Sequence, residues 1–235
     1  MTARVVVLAS GNGGNLQALI DACGNGRLAA RIVGVVTDRP AVRALVRATD
    51  AGVDARVVAK REHESRGDYD LRLRDAVGEF RPDLVVLAGF MRLLTQPFLD
   101  AFAGRVLNLH PALPGELPGL HAIERAWDEA LTGSRTRTGV MVHLVPDEGV
   151  DDGPVVAVAR VPIDTSQSLD SFRATIHAVE HALIVDAVGM HLAVLATLNR
   201  ADSTLDPSVR HNPDYNPDYN PDSNVDHPLD TGASS

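Results

Sequence analysis

Residues 5–22 read VVVLASGNGGNLQALIDA, an apolar run, a cluster of small residues and then a helical pattern, and this order decides the fold. Val5 to Ala9 has the continuous apolar character of a buried strand, while Leu16, Ile20 and Cys23 recur at helical spacing. Gly11, Gly13 and Gly14 between the two elements allow two readings. Backbone N–H groups at a helix start, with no side chains in the way, form an anion site. A tight strand-to-helix turn needs the same glycines and binds nothing. The spacing Gly11-x-Gly13-Gly14 matches neither the dinucleotide fingerprint nor the Walker loop, so a phosphate suits the first reading and a dinucleotide does not.

The same alternation continues outward. Strand-like runs recur at residues 32–36, 55–58, 84–88 and 106–109, separated by segments of helical spacing, which implies βαβ units and a parallel sheet. From Thr138 onward, TGVMVHLV and GPVVAVARVPI are two strand-like runs joined by the acidic loop PDEGVDDG, an antiparallel addition to that sheet. The expected fold is therefore α/β, a Rossmann-like, mostly parallel sheet flanked by helices, with the antiparallel strands in the C-terminal half. A long helix follows, with Leu169, Phe172, Ile176, Val179, Leu183 and Ala187 three and four apart and Ser168 as its cap; His177, Glu180 and His181 share another face. Parallel sheets bind ligands beyond the carboxyl ends of their strands, so SGNGGN, GFMRLL and HPALPG should line one crevice.

The chain has 235 residues, 45% of them hydrophobic, and a formal net charge of −9. That charge argues against a nucleic-acid groove. Six Asp against one Arg fall from Ser203 onward, so five of those nine charges belong to the last stretch. Its NPDYNPDYNPD repeats hold too few aliphatic residues to fold. The domain expectation is thus a folded body over 1–200, with phosphate binding assigned to its N-terminal half and the remaining chemistry to its C-terminal half, and a disordered tail over 203–235. A single Cys23 excludes an internal disulfide and a cysteine-based metal site. No stretch of about 18 consecutive apolar residues is present, and no basic segment precedes the first apolar run. The protein is expected in the cytoplasm, with no membrane or nucleic-acid partner, as a monomer or homodimer.

Asn108 and His110, two apart at the end of a strand, direct their side chains to one face and can address one reacting atom. Alternatively, Asn108 satisfies backbone groups and His110 closes a turn before Pro111. Asp151, in the loop between the last two strands, can bring a carboxylate to His110.

Taken together and in order, SGNGGNLQALIDA, PDLVVLAGFMRLL, NLHPALPGELPGLH, VHLVPDEGVDDGPV and VEHAL resemble the folate-dependent glycinamide ribonucleotide formyltransferases of purine synthesis, from about residue 4 to residue 190. The resemblance implies 10-formyltetrahydrofolate as co-substrate and no metal. It implies Asn108, His110 and Asp151 as the catalytic set, with the Asp-x-Gly-Pro register selecting Asp151 over Asp152. It places the nucleotide on Gly13, Gly14, Asn15 and the ribose-binding Glu180. It places the folate on Leu87, Phe90, Met91, Leu93 and Leu94, with Arg66 and Arg92 near its glutamate tail, and sets His121 and His143 around the site without making either the main acid. Two departures stand out. Gly14 replaces a serine common in relatives, so Gly14→Ser is expected to be neutral or mildly tightening. The loop after His110 carries Ala112 and an early Leu-Pro step. Other readings are a formyltetrahydrofolate hydrolase, a formyltransferase acting on methionyl-tRNA or a sugar nucleotide, or a non-catalytic nucleotide-binding protein on the same fold.

Overall fold

A computed structural model describes residues 2–204. The Asn-Pro-Asp tail expected to be disordered lies outside the described residues. The compact unit spans Met1–Leu195; of the other, Ala196–Ser235, the described part consists of the last turns of the final helix.

Seven strands form one sheet in the order β3-β2-β1-β4-β5-β6-β7. They are β1 Ala3–Leu8, β2 Ala30–Thr37, β3 Ala55–Val57, β4 Leu84–Leu87, β5 Val106–His110, β6 Arg137–Leu144 and β7 Val155–Pro162. The pairs among β1 to β5 are parallel, whereas β5–β6 and β6–β7 are antiparallel. The mostly parallel sheet with its C-terminal antiparallel addition is therefore as the pattern implies.

Both faces of the sheet are covered. Val5 and Val7 of β1 pack with helix α1 (Gly14–Gly24), helix α5 (Ala122–Leu131) and the long helix α6 (Leu169–Thr204). Val6 and Leu8 face the opposite way, onto α3 (Arg66–Gly78) and α4 (Gln96–Ala101) through Leu73, Val77, Phe98 and Leu99. Strict alternation in an unbroken apolar run is what a central strand requires. All four of these β1 side chains are fully buried, and each contributes about 1.5–3 kcal/mol relative to exposure.

Over Leu169–Ala201, α6 is long and apolar enough by length and composition to cross a membrane. Part of that apolar content lies in the core, whereas Met190 and Val194 are exposed. Phe172, Ile176, Ile184, Val185, Ala187 and Val188 are buried in the core, and the helix starts where the Ser168 hydroxyl accepts the Ser171 N–H at 3.2 Å.

The chain winds from β1 outward to β3 and returns to β4 on the other side of β1, so the loops after β1 and β4 diverge from neighbouring strand ends. Such a switch point opens a crevice. Two bonds stitch its floor: Ser10 N–H to Gly89 O at 3.0 Å and Met91 N–H to Ser10 Oγ at 2.9 Å. Ser10 is accordingly buried.

Candidate active site

A cavity of about 760 Å³ occupies this crevice, within the ~300–1,000 Å³ typical of small-molecule sites. One end is formed by the glycine loop and the polar face of α6, the other by the loop after β4, and Asn108, His110 and Asp151 line it as well. The three unusual loops thus meet in one place.

At the glycine end, Gly13 caps α1 with φ 73°, in the left-handed region where glycine carries no penalty. The first intrahelical bond runs from Gln17 N–H to Gly13 O. The N–H groups of Gly14, Asn15 and Leu16 precede that ladder, and no side chain caps them. Glu180 is buried, and its Oε2 accepts from Asn15 Nδ2 at 3.2 Å and from His177 Nδ1 at 3.0 Å. That hydrogen bond to the carboxylate raises the His177 pKa above its ordinary value, against the effect of burial. Arg47 of α2 (Arg43–Asp50), which the sequence reading passed over, lines the cavity, donates to Asn12 O at 2.9 Å and Gln17 Oε1 at 3.0 Å and braces the loop.

At the β5 end, the antiparallel register sets Asn108 opposite His143 and His110 opposite Met141. Leu107 and Leu109 turn into the core, so Asn108 and His110 share the other face. Asp151 lies between them: Oδ2 is 3.2 Å from His110 Nδ1, and Oδ1 accepts from Asn108 Nδ2 at 3.0 Å. The Gly119 N–H adds a 2.8 Å bond to Oδ2. Asp152 instead folds back against Gly149. Burial raises the Asp151 pKa, but its hydrogen-bonded surroundings, the Gly119 N–H and His110 among them, outweigh it and hold the carboxyl below its usual range.

His143 donates from Nδ1 to Leu144 O at 2.8 Å, which leaves Nε2 as the acceptor for Asn108 Nδ2 at 3.1 Å. Both amide hydrogens of Asn108 are then committed, one to Asp151 and one to His143. His110 is also fully engaged, with Nε2 3.0 Å from Leu117 O and Nδ1 on Asp151. Leu117 sits in the altered loop at φ 47°, which turns its carbonyl onto the ring.

Both ring nitrogens of His110 face oxygen acceptors, an arrangement that suits the imidazolium. Burial nonetheless dominates and holds the pKa below its ordinary value, with Asp151 pulling the other way. Because the folded value lies below the unfolded one, unfolding takes up a proton between the two, so stability is lost as pH falls below about 6.5. The Tm advantage of wild type over His110→Asn should shrink as pH drops from about 7.5 toward about 5. A difference constant across that range would show that the ring does not titrate on unfolding.

At the apolar end, Leu87, Phe90 and Leu94 are buried while Met91 and Leu93 are half-exposed, and all five line the cavity. Arg92 pairs with the buried Asp38 at 2.8 Å and lies 4.9 Å above the Tyr69 ring. Arg66 lies beside the cavity, its guanidinium on Leu93 O at 3.2 Å, Leu94 O at 2.8 Å and Glu148 at 3.1 Å, three residues that line it. His121 lines the cavity with a largely exposed side chain. Among the described residues no His, Cys, Asp and Glu group could hold a metal ion.

Residues 3–188 match the family described as Formyl transferase. The chain is 40% identical over 180 residues to phosphoribosylglycinamide formyltransferase of Escherichia coli (strain K12), covering 77% of this chain and 82% of that protein. The protein of the same name from Schizosaccharomyces pombe is 40% identical over 200 residues, 80% of this chain and 96% of the relative. The crystal structure of glycinamide ribonucleotide transformylase 1 from Symbiobacterium toebii matches with a TM-score of 0.74 at 39% identity, over 80% of this chain and 86% of that one.

Proposed function

The chain belongs to the formyl transferase family, and on that premise we propose that it transfers the formyl group of 10-formyltetrahydrofolate to the amine of glycinamide ribonucleotide in purine synthesis. The observation that carries this reading is the Asp151 carboxylate, 3.2 Å from His110 and 3.0 Å from Asn108, in the same cavity as the uncapped glycine loop.

The amine attacks the formyl carbon and forms a C–N bond, leaving a tetrahedral intermediate whose oxygen carries the developing charge. Collapse breaks the bond to folate N10, and the proton lost by the amine goes to that nitrogen. Catalysis therefore requires donors for the oxyanion and a path for one proton. His110 Nε2 supplies one donor. As the formyl oxygen gains charge it displaces the neutral Leu117 carbonyl from that nitrogen, since a charged acceptor makes the stronger bond. Asn108 supplies the second by exchanging its His143 partner for the same oxygen. Asp151, ionised at rest, orients both groups, stabilises positive charge that develops on the His110 ring, and carries the amine proton by accepting it and passing it to N10.

The nucleotide lies across Gly13, Gly14 and Asn15, where free backbone N–H groups meet its phosphate, and Glu180 accepts from the ribose hydroxyls. The folate ring lies in the slot of Leu87, Phe90 and Leu94, flanked by Met91 and Leu93. Arg92 and Arg66 hold that loop in shape at the side where the glutamate tail leaves. The protein acts on these small molecules in the cytoplasm, as a monomer or homodimer, without nucleic acid.

Incubation with 10-formyl-5,8-dideazafolate and glycinamide ribonucleotide tests the reading. Deformylated cofactor should accumulate only when both substrates are present. Consumption without the amine would make the protein a hydrolase, and no consumption with intact binding would make it a non-catalytic nucleotide binder.

A further inference from the structure

We propose that Arg135 is a positioning residue for His110: by holding Glu116 it fixes the loop whose Leu117 carbonyl sits on the ring. This rests on the reading of His110 as an oxyanion donor. The loop after β5 bears on both His110 and Asp151, with Leu117 O 3.0 Å from His110 Nε2 and the Gly119 N–H 2.8 Å from Asp151 Oδ2.

Leu117 holds φ 47°, in the left-handed region that side chains rarely adopt. Such a conformation persists only where the surroundings impose it. Three contacts do so. The Leu117 side chain is buried with Ala112, Ala122 and Ala126. On one side of it, Arg125 Nη1 donates to Pro118 O at 2.8 Å. On the other, Glu116 is paired with Arg135, whose Nε donates to Glu129 Oε2 of α5 at 2.7 Å. The Arg135 side chain is only 16% exposed, so the pair is a fixed anchor and not a solvated surface bridge. From Ala112 onward the loop first reaches the cavity at Gly119, so Arg135 and Glu116 act on the site through Leu117 and not on a ligand.

The carbonyl matters because of what it asks of the ring. A neutral imidazole has one hydrogen, and the Asp151 carboxylate claims it at Nδ1. An acceptor held at Nε2 favours the form with hydrogens on both nitrogens, and that form turns a donor toward the formyl oxygen. Burial holds the His110 pKa down, and Asp151 and the Leu117 carbonyl oppose it. The charged and titratable groups that face the ring are Asp151, His143 and Arg125.

Steady-state kinetics with the two substrates, and heteronuclear NMR of the His110 ring nitrogens assigned by their absence from His110→Asn, test the assignment. Arg135→Ala and Glu116→Ala should each lower kcat about fivefold with both KM values within about twofold, and the double variant should be little worse than either. In both single variants Nε2 should lose its hydrogen at lower pH than in wild type. The sign separates position from charge. By charge alone, removing a cation would raise the His110 pKa and removing an anion would lower it, whereas loss of the carbonyl lowers it in both. Arg135→Lys, which keeps a cation for Glu116, should retain at least about half of kcat. Glu129→Gln, which leaves the Glu116 pair in place, should match wild type. Unchanged kcat in Arg135→Ala, a loss carried by KM, or a His110 titration unmoved or moved in opposite directions by the two variants would each overturn the proposal. If wild type transfers no formyl group, the role falls with the proposed function; if wild type turns over and the His110 titration does not move, the role alone falls.

Discussion

His110→Ala and Asp151→Asn should each lower kcat by at least about a hundredfold while the nucleotide Kd stays within about twofold. The split follows from position. Both side chains stand at the end of the cavity where the proposed transfer develops charge, and neither lies on the glycine loop or the polar face of α6. A group that acts only on developing charge contributes to the transition state and not to ground-state binding. Asp151→Asn has a further consequence, because Oδ1 and Oδ2 both act as acceptors, for Asn108 Nδ2 and for the Gly119 N–H. An amide can serve only one of these with an oxygen, so either Asn108 or the loop carrying Gly119 loses its partner. The double variant should be little worse than the poorer single variant, since residues that operate as a unit are not additive. Rates near wild type in either folded variant would remove the pair from the mechanism.

Gly13→Val should abolish measurable nucleotide binding or weaken it by at least about a hundredfold. Two costs coincide there. Gly13 holds φ 73°, a conformation that a β-branched residue rarely adopts. A Cβ at this position would also lie 3.0 Å from both Cα and Cβ of Ala44 and 3.3 Å from Arg47 Cδ. The first of these is backbone, so relief requires α2 to move and takes with it Arg47, which holds Asn12 O. The loop N–H groups then no longer converge on an anion. Calorimetry with the folded variant decides the matter: unchanged affinity would mean that the loop is a turn and nothing more.

The run Val5–Ala9, the glycine cluster and the spacing of Leu16, Ile20 and Cys23 were enough to read a strand, a turn and a helix, because alternation and helical repeat are local properties of the chain. Repetition of that unit implied the parallel sheet, and the period of two along β5 put Asn108 and His110 on one face. The resemblance of its motifs, in order, supplied the chemistry to look for. Beyond the shared crevice and the approach of Asp151 to His110, the sequence pattern carried little information on who meets whom across large separations. Asn15 bonds Glu180 across 165 residues, and only the packing of α6 against α1 decides that. His143 faces Asn108 because of the β5–β6 register, which depends on the length and path of the intervening chain. Arg66 donates to the carbonyls of Leu93 and Leu94, contacts that no spacing rule reports. The Leu117 carbonyl on His110 and the imidazole of His181 beside Gly14 are of the same kind. Local patterns determine the elements and the residue types at their ends; the contacts that tune a site arise from register and loop path, which are settled only when both faces of the sheet are packed.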